Sequence, residues 1–509
     1  MAASKDLLTA EAVDAVVVPP DPAPLARQTL AYGLTGLIVP IVAMITLPIF
    51  ARVFTRGQYG LVELGTTTMT VALSITDAGL TAAALRGFYD FAPDDEDDRR
   101  RVLTTGFVAT TALAFAVAGL MILLRNDLSR WLFQRPDEGG LIVVIAASML
   151  AINAWRYVNE VMRVRLMAFN YLATAVLAAA LTTAIGVAGV LALGWRVQGV
   201  FVAAVIGNFV AAAYGLIIVR HSLVGRFSSS ELRRMLAYGL PLVPSALAAW
   251  ALALVDRIIL ARLGSLSEVG QYAIANRLAF LLLIGMSAFT FALTPFLLAT
   301  YSENPEQEKA GRARTLTYLT FILSFVGLGL TLFAKEAIEV VAPKFDDAYL
   351  AVGPLALGTA AYGISTLLTT GLAIARKTAR LAALSVACAV LNIGLNFALI
   401  PPFGIVGAAL ATAAGYGALA ASFYWASQRA YRTPYQPRKV LGMLAAAVAL
   451  GTVGLIPFGS LALALSVKLV ALAAFVGFTW LSGTMGRSEF KELRRFAGGM
   501  IAVPFARAG

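Results

Sequence analysis

Residues 198–219 read QGVFVAAVIGNFVAAAYGLIIV and contain no charged side chain between Arg196 and Arg220. As an α-helix, this run would extend about 33 Å, enough to cross the roughly 30 Å hydrocarbon core of a bilayer. Thirteen other runs resemble it, and 59% of the 509 residues are hydrophobic, with a mean hydropathy of +0.80. Soluble domains hold about 45–50% apolar residues. The sequence therefore predicts an all-α polytopic membrane protein with about 14 transmembrane helices.

The connections between the runs are short, so no soluble domain fits between spans. An even number of spans places both termini on one side, and the segments predicted on that side hold roughly three times as many Lys and Arg residues as the others. By the positive-inside rule, both termini are cytoplasmic, and the protein lies in the cytoplasmic membrane. The same rule and anionic lipids explain the net charge of +12 without nucleic acid. The predicted spans are residues 29–53, 60–85, 102–124, 141–162, 168–194, 198–219, 238–262, 270–300, 315–334, 349–374, 379–400, 403–427, 440–457 and 460–484.

An internal repeat divides the chain. Ala31-Tyr-Gly-Leu34 recurs at Ala237, Gly57-Gln-Tyr59 at Gly270, and Gly199–Gly207 is similar to Gly407–Gly415, with offsets from 206 to 213 residues. Six spans precede each recurrence, so the two halves have the same orientation, a known transporter architecture. The predicted domains are a disordered cytoplasmic tail (1–28), two six-helix lobes (29–219 and 238–427) joined by a cytoplasmic linker (220–237), two extra helices (428–484) and a cytoplasmic interfacial tail (485–509).

The residue types that most enzymes need are scarce. Cys388 is the only cysteine, His221 is the only histidine, and no Gly-x-x-x-x-Gly-Lys-Ser/Thr phosphate loop occurs. Zinc sites, Ser-His-Asp catalysis and a Walker-type ATPase are therefore disfavoured. We expect no catalytic residue, metal or cofactor, and transport driven by a gradient or by the substrate.

Charged side chains within spans must face protein or a watery cavity, because burying them in hydrocarbon costs several kcal/mol. Asn153, Arg156, Glu160 and Arg163 form one stripe on the fourth span, which suits a diphosphate group in a substrate cavity. The alternative is structural: Arg156 pairs with Glu160 while Arg163 extends to the membrane surface. Lys468, in the last span, is expected to extend to the surface in the same way.

A second set of charges lies towards the outer side. Asp256 and Arg277 occupy equal depths in adjacent antiparallel spans, which predicts an ion pair acting as a strut or a gate. Arg257 is expected to face away from Asp256, since adjacent helix positions diverge by about 100°. Glu63 and Asp77, in the second span, could each bind a coupling cation or proton, or make a structural hydrogen bond.

Several motifs carry a resemblance to a known family. The segment IFARVFTRGQYGL (49–61), then DAGL (77–80) and LRGFY (85–89), resembles the opening of polysaccharide flippases in the multidrug/oligosaccharidyl-lipid/polysaccharide exporter superfamily. DRIILAR (256–262) with VGQY (269–272) resembles the seventh and eighth helices of that group. The resemblance implies a V-shaped bundle of two lobes around a central cavity, plus two C-terminal helices. It implies alternating-access transport of undecaprenyl-diphosphate-linked oligosaccharide for surface polysaccharide synthesis, without covalent chemistry.

The implied partners are the lipid-linked saccharide and membrane lipid, and a polysaccharide polymerase stays open as a protein partner. Two other functions are alternatives to this one. A drug exporter on the same scaffold is disfavoured because no Asp or Glu occurs between Asp21 and Glu63, where such relatives place a carboxylate. A membrane-embedded glycan-processing enzyme is disfavoured because no large loop is available for its chemistry.

Overall fold

The computed structural model describes residues 44–486 except positions 304 and 376, together with residues 32, 33, 35 and 42. Within this part of the chain there is no β-strand. The expected tail 1–28 and nearly all of the expected interfacial segment 485–509 lie outside the described residues. The described helices are α1 (Met44–Val53), α2 (Arg56–Asp77), α3 (Leu80–Tyr89), α4 (Glu96–Leu123), α5 (Arg125–Phe133), α6 (Gly139–Val164), α7 (Ala168–Leu191), α8 (Arg196–Val219), α9 (Ser229–Gly239), α10 (Val243–Leu263), α11 (Leu266–Glu303), α12 (Pro305–Leu332), α13 (Ala334–Val341), α14 (Tyr349–Ile374), α15 (Thr378–Ala430), α16 (Pro437–Gly451) and α17 (Leu461–Leu481).

These helices confirm the predicted fold class of an all-helical polytopic membrane protein. Among the described residues, ten helices are long and apolar enough to cross a membrane, or eleven if the bent pair α2 and α3 forms one span. The number of fourteen therefore stays a prediction. We call the end of the bundle where α2, α6 and α11 begin the outer end, and the opposite end the inner end, following the predicted orientation.

Helix α15 is a hairpin of two arms, as predicted from the spans 379–400 and 403–427. Gly404 has a positive φ of 54°, and Pro401 and Pro402 lie three and two positions before it, so the helical hydrogen bonds are interrupted there. Asn392 Nδ2 donates to the carbonyl of Ala411 at 3.0 Å, which joins the two arms. We refer to residues 378–403 and 405–430 as the first and second arms of α15.

The predicted second span, 60–85, is not one straight helix. Ala78 and Gly79 have positive φ angles of 43° and 72°, and α3 leaves α2 at an angle of 41°. A Cβ atom on Gly79 would lie 2.6 Å from the carbonyl oxygen of Gly239, so the bend between α2 and α3 touches the end of α9. This backbone contact requires glycine, which apolar periodicity alone does not indicate.

The two halves meet along α2 and α11. Within the first half, α6 packs on α8, α4 and α2, and α7 packs on α8; within the second, α14 and α10 pack on α15 and α12 packs on α14. One hydrophobic cluster crosses the boundary and contains Leu64 of α2, Tyr272 of α11 and Val352 of α14. The central core therefore lies between the halves, towards the outer end.

The N-terminal caps of α2 and α11 show that one of the predicted repeat pairings is shifted. Thr55 caps α2 and accepts a hydrogen bond from the backbone of Gln58, and Ser265 does the same for Glu268 at the start of α11. Both pairs are 210 residues apart, like Ala51-Arg52 and Ala261-Arg262. The structural equivalent of Gly270 is therefore Gly60, and the pairing of Gly57-Gln-Tyr59 with Gly270-Gln-Tyr272 is wrong by about one helical turn.

Lys468 does not extend to the membrane surface as expected. Its side chain is only 2% exposed, and its Nζ lies 2.5 Å from Glu336 Oε1 on the short helix α13. The carboxylate comes from a helix 132 residues earlier in the chain, so no pattern within the last span could indicate it.

Candidate functional site

A buried ion network connects the two halves near the outer end. Arg257 of α10 donates from Nε to Glu63 Oε1 of α2 at 2.9 Å, and from Nη1 to Asp256 Oδ1 at 2.7 Å. The side chains of Arg257 and Asp256 are 3% and 2% exposed, and that of Glu63 is 12% exposed. A buried arginine needs such partners because an unpaired charge there is very costly. Arg257 therefore links the halves through Glu63.

Asp256 is held on its other side by the second half. Tyr272 of α11 and Thr412 of the second arm of α15 both donate hydroxyl hydrogen bonds to Asp256 Oδ2, the latter at 3.1 Å. The backbone N–H of Arg257 also donates to Oδ1 at 2.8 Å. Both carboxylate oxygens are thus satisfied, as a buried charge requires.

The predicted pair of Asp256 and Arg277 is wrong. Arg277 Nη2 instead lies 3.9 Å from Glu63 Oε2, and its guanidinium lies 5.2 Å from the ring centre of Tyr59. Helix rotation explains the error, since Asp256 faces α15 whereas Arg277 faces α2. The expectation that Arg257 faces away from Asp256 is also wrong, because its long side chain turns back and donates to Asp256 and to the carbonyl of Ala253.

A second set of contacts closes the outer surface above this network. Arg56 at the start of α2 contacts Asp346 and the carbonyl of Lys344, in the loop after α13. Arg52 donates to the carbonyl of Val340 at 3.0 Å, and Lys344 Nζ donates to the carbonyl of Arg52 at 2.6 Å. These partners are about 290 residues apart, so the sequence offered no signal for them.

Backbone packing completes the outer closure. A Cβ atom on Gly60 would lie 2.0 Å from the carbonyl oxygen of Leu266, and one on Gly270 would lie 2.1 Å from that of Arg56. Helices α2 and α11 therefore approach more closely than any side chain permits. The two halves are in direct contact at the outer end.

The predicted stripe on the fourth span lies on α6, and its four residues have different environments. Asn153 is buried and accepts a hydrogen bond from Thr76 of α2 at 3.3 Å. Glu160 pairs with Arg163 at 2.6 Å, so the alternative pair of Arg156 with Glu160 is not formed. Arg156 is exposed, and among the described residues it has no carboxylate within 4.0 Å.

Asp77 joins this stripe from the inner end of α2. The carboxylate of Asp77 and the guanidinium of Arg156 are both close enough to interact with the carboxylate of Glu160. The structure thus brings Asp77, Arg156, Glu160 and Arg163 together in one region, which we call the inner polar patch. Glu63, Asp256 and Arg277 belong instead to the outer ion network.

An apolar cavity lies in the second half of the molecule. It has a volume of about 270 Å³ and lies between α12, α14, the second arm of α15 and α16. Leu323, Leu328, Pro354, Leu410, Leu444 and Val448 are among its lining residues. Such a lining suits a hydrocarbon chain better than a polar solute.

The long apolar helices, the two halves meeting at a buried ion network and the polar patch at membrane depth define the class: a polytopic transporter. The sequence profile described as "Polysaccharide biosynthesis protein" matches residues 25–300, more than half of the chain, and a second profile, MatE, matches residues 241–398. The chain belongs to this polysaccharide biosynthesis family and thus to the multidrug/oligosaccharidyl-lipid/polysaccharide exporter superfamily.

Solved structures share the fold. "Lipid II flippase MurJ, inward closed conformation" aligns with a TM-score of 0.70 and 12% identity over 89% of this chain and 99% of that one. An inward-facing multidrug resistance MATE family transporter aligns with a TM-score of 0.65 and 16% identity over 78% of this chain and 97% of that one. A Vibrio cholerae MATE transporter aligns with a TM-score of 0.56, 15% identity and coverage of 81% and 97%. No curated protein matches the chain significantly.

Proposed function

We propose that this protein is a flippase that moves an undecaprenyl-diphosphate-linked oligosaccharide from the inner to the outer leaflet of the cytoplasmic membrane for surface polysaccharide assembly. Membership of the polysaccharide biosynthesis family supports a saccharide cargo. The observation that carries the proposal is Arg156, an exposed arginine of the inner polar patch that has no carboxylate within 4.0 Å among the described residues.

The position of Arg156 fits the diphosphate of a lipid-linked substrate. Arg156 lies 17 residues after Gly139, the first residue of α6. That spacing places it about 26 Å from the outer end, close to the inner leaflet. A diphosphate carries clustered negative charge, which a guanidinium binds with two parallel hydrogen bonds. The nearby pair of Glu160 and Arg163 adds no net charge, and Asp77 balances Arg156 in the sum, so the attraction for a diphosphate comes from the exposed guanidinium of Arg156 itself.

The apolar cavity in the second half supports the lipid part of the proposal. Its leucine, valine, alanine and proline side chains can hold a segment of polyprenyl chain. The diphosphate and saccharide would then lie at the inner polar patch. Contact with such a surface would add little binding free energy for a water-soluble drug. The combination of an anion-binding patch and an apolar cavity therefore favours a lipid-linked anion.

Drug export is the second candidate, because a MatE profile matches residues 241–398 and MATE transporters share the fold. The two functions differ in what the purified protein retains. Mass spectrometry of lipids extracted with the detergent-purified protein should detect a polyprenyl diphosphate saccharide if the chain is a flippase. Retention of no polyprenyl lipid, together with drug-stimulated transport in vesicles, would favour the exporter instead.

Variants of the inner polar patch test the role of Arg156. A charge-assisted hydrogen bond contributes roughly 1.5–3 kcal/mol, so Arg156→Ala should lower retention of the lipid-linked saccharide by about tenfold or more. Arg156→Lys should restore part of it, because lysine keeps the charge but not the bidentate geometry. Glu160→Ala is the matched control: it removes a carboxylate from the same helix face and should leave retention unchanged or higher. Wild-type retention by folded Arg156→Ala would refute the assignment.

The orientation of the chain is a separate proposal. Both termini are cytoplasmic if the positive-inside count and the even number of spans are correct. A reporter that is active only in the periplasm, fused after Gly509, should therefore be inactive, and one that is active only in the cytoplasm should be active. The opposite result would refute both the orientation and the count. A polymerase partner stays a prediction.

A further inference from the structure

A second polar cavity lies at the inner end of the second half, away from the inner polar patch. It has a volume of about 180 Å³ and lies between the beginning of α12, the beginning of α16 and the residues that follow α17. Its polar lining consists of Arg314, Thr317, Tyr318, Gln436, Lys439 and Thr484. The cavity contains two basic side chains and no acidic one.

The charges around this cavity are unbalanced. On the same helix, Lys309 is paired with Glu306, and Arg312 is paired with Glu308, so neither contributes a net charge. Arg314 and Lys439, in contrast, have no carboxylate within 4.0 Å among the described residues. Two cations therefore face one cavity without a counter-ion from that part of the protein.

The beginning of α16 adds to this positive potential. Gln436 precedes the helix and makes no capping hydrogen bond, and Pro437 and Lys439 lie in the first turn. The N-terminus of a helix carries a partial positive charge from its unpaired N–H groups. The Thr484 hydroxyl, which lies 2.7 Å from that of Ser482, adds a neutral polar group to the same lining, whereas the Thr317 hydroxyl already donates to the carbonyl of Ala313. Together these groups form a site for an anion with several oxygen atoms.

The position of the cavity identifies the kind of anion. Helices α16 and α17 expose large apolar side chains, including Leu441, Leu469 and Val470, which are 64%, 59% and 67% exposed. These surfaces are in contact with lipid in a membrane, and the cavity opens where the predicted inner ends of α12, α16 and α17 meet. Basic pockets between helices on the cytoplasmic side bind acidic lipid headgroups. We propose that this cavity binds the phosphate of an anionic phospholipid of the inner leaflet.

Such a lipid would connect the two extra helices to the lobe. Arg314 belongs to α12, Lys439 to α16, and Thr484 follows α17. One bound phosphate therefore contacts all three elements and stabilises their packing around Phe321, Met443 and Phe475. The proposal does not depend on which substrate the protein transports.

Native mass spectrometry of the full-length protein in detergent tests this site. The probes are cardiolipin, phosphatidylglycerol and phosphatidylethanolamine, with inorganic phosphate as a soluble anion. Removing one cation near a membrane surface costs about a fivefold loss of affinity for an acidic lipid. Arg314→Gln and Lys439→Gln should therefore each weaken cardiolipin binding about fivefold, and the double variant about 25-fold. Phosphatidylethanolamine binding should change little.

The matched control is the double variant Arg432→Gln and Arg438→Gln, which removes the same charge from exposed positions outside the cavity. It should keep wild-type cardiolipin affinity. Arg314→Lys retains the charge and should keep most of the cardiolipin affinity. A large loss of affinity in folded Arg314→Lys protein would therefore count against a charge-based site, even if the glutamine variants do not fold. Equal losses in the control and the cavity variant would overturn the proposal. Binding of inorganic phosphate without any preference for acidic phospholipid would instead assign the site to a soluble anion.

Discussion

Glu63 is the only carboxylate of the first half in the described outer ion network, so its removal tests how the outer end is held closed. Glu63→Gln preserves the size of the side chain but removes its charge. Arg257 would keep Asp256 as a partner, at 2.7 Å, while Arg277 would lose its contact with Glu63. The network within the second half would thus persist, and only the link between the halves would weaken.

The magnitude follows from the contacts. Glu63 makes one short hydrogen bond, at 2.9 Å to Arg257, and a longer contact of 3.9 Å to Arg277. A hydrogen bond to a charged group contributes roughly 1.5–3 kcal/mol and a neutral one roughly 0.5–1.5 kcal/mol, so the substitution costs about 1–2 kcal/mol. The ratio of outer-open to outer-closed molecules should then rise about 5- to 30-fold. An open state populated at about 1% would rise to between about 5% and 25%.

Distance measurements by double electron–electron resonance can detect this shift. Spin labels at Asp127 of α5 and Glu339 of α13 lie on exposed outer positions of the two halves. Cys388 is buried and is replaced by alanine, so that only the introduced cysteines react. In Glu63→Gln the longer-distance population should increase.

The control for this experiment is Glu308→Gln, which breaks the buried pair with Arg312 inside the second half. It should leave the distance between the halves unchanged. Identical distance distributions for wild type and Glu63→Gln, with both proteins folded, would refute the view that this ion network holds the outer end closed.

Other substitutions give further tests. Gly270→Ala should favour the outer-open state, because its Cβ would lie 2.1 Å from the carbonyl oxygen of Arg56 at the outer contact. Gly239→Ala should not, because its Cβ would lie 2.8 Å from the carbonyl oxygen of Ala78, away from that contact. The same spin labels measure both variants, and equal shifts would contradict the assignment. Lys468→Ala should lower the unfolding free energy by about 3 kcal/mol, because it leaves the partly buried Glu336 carboxylate without its cation, and Lys468→Met with Glu336→Gln should recover most of the loss. Thermal unfolding in detergent measures this effect, and equal stability of the single and double variants would contradict it.

Much of the fold follows from the sequence because membrane insertion imposes a simple physical rule. Every backbone polar group in hydrocarbon must be paired, so an uncharged run such as residues 198–219 must form a helix, and it does as part of α8. The hairpin at Gly404 and the N-terminal cap of α2 at Thr55 are also local, since the deciding residues lie within a few positions of each other. The family resemblance rested on equally local motifs, and the match over residues 25–300 confirms it.

The sequence does not predict side-chain partners, because these depend on helix rotation and on contacts between distant segments. Depth along a helix can be counted from the sequence, and it placed Asp256 and Arg277 correctly near the outer end. Their partners are different, since a rotation of one helical position, about 100°, changes which helix a side chain faces. Glu63 and Arg257 are 194 residues apart, and no local pattern connects them. The sequence by itself determined the helices, the family and the presence of intramembrane charges; only the tertiary structure decided that Glu63 and Arg257 join the halves, because burial forces each charge to the nearest partner that packing supplies.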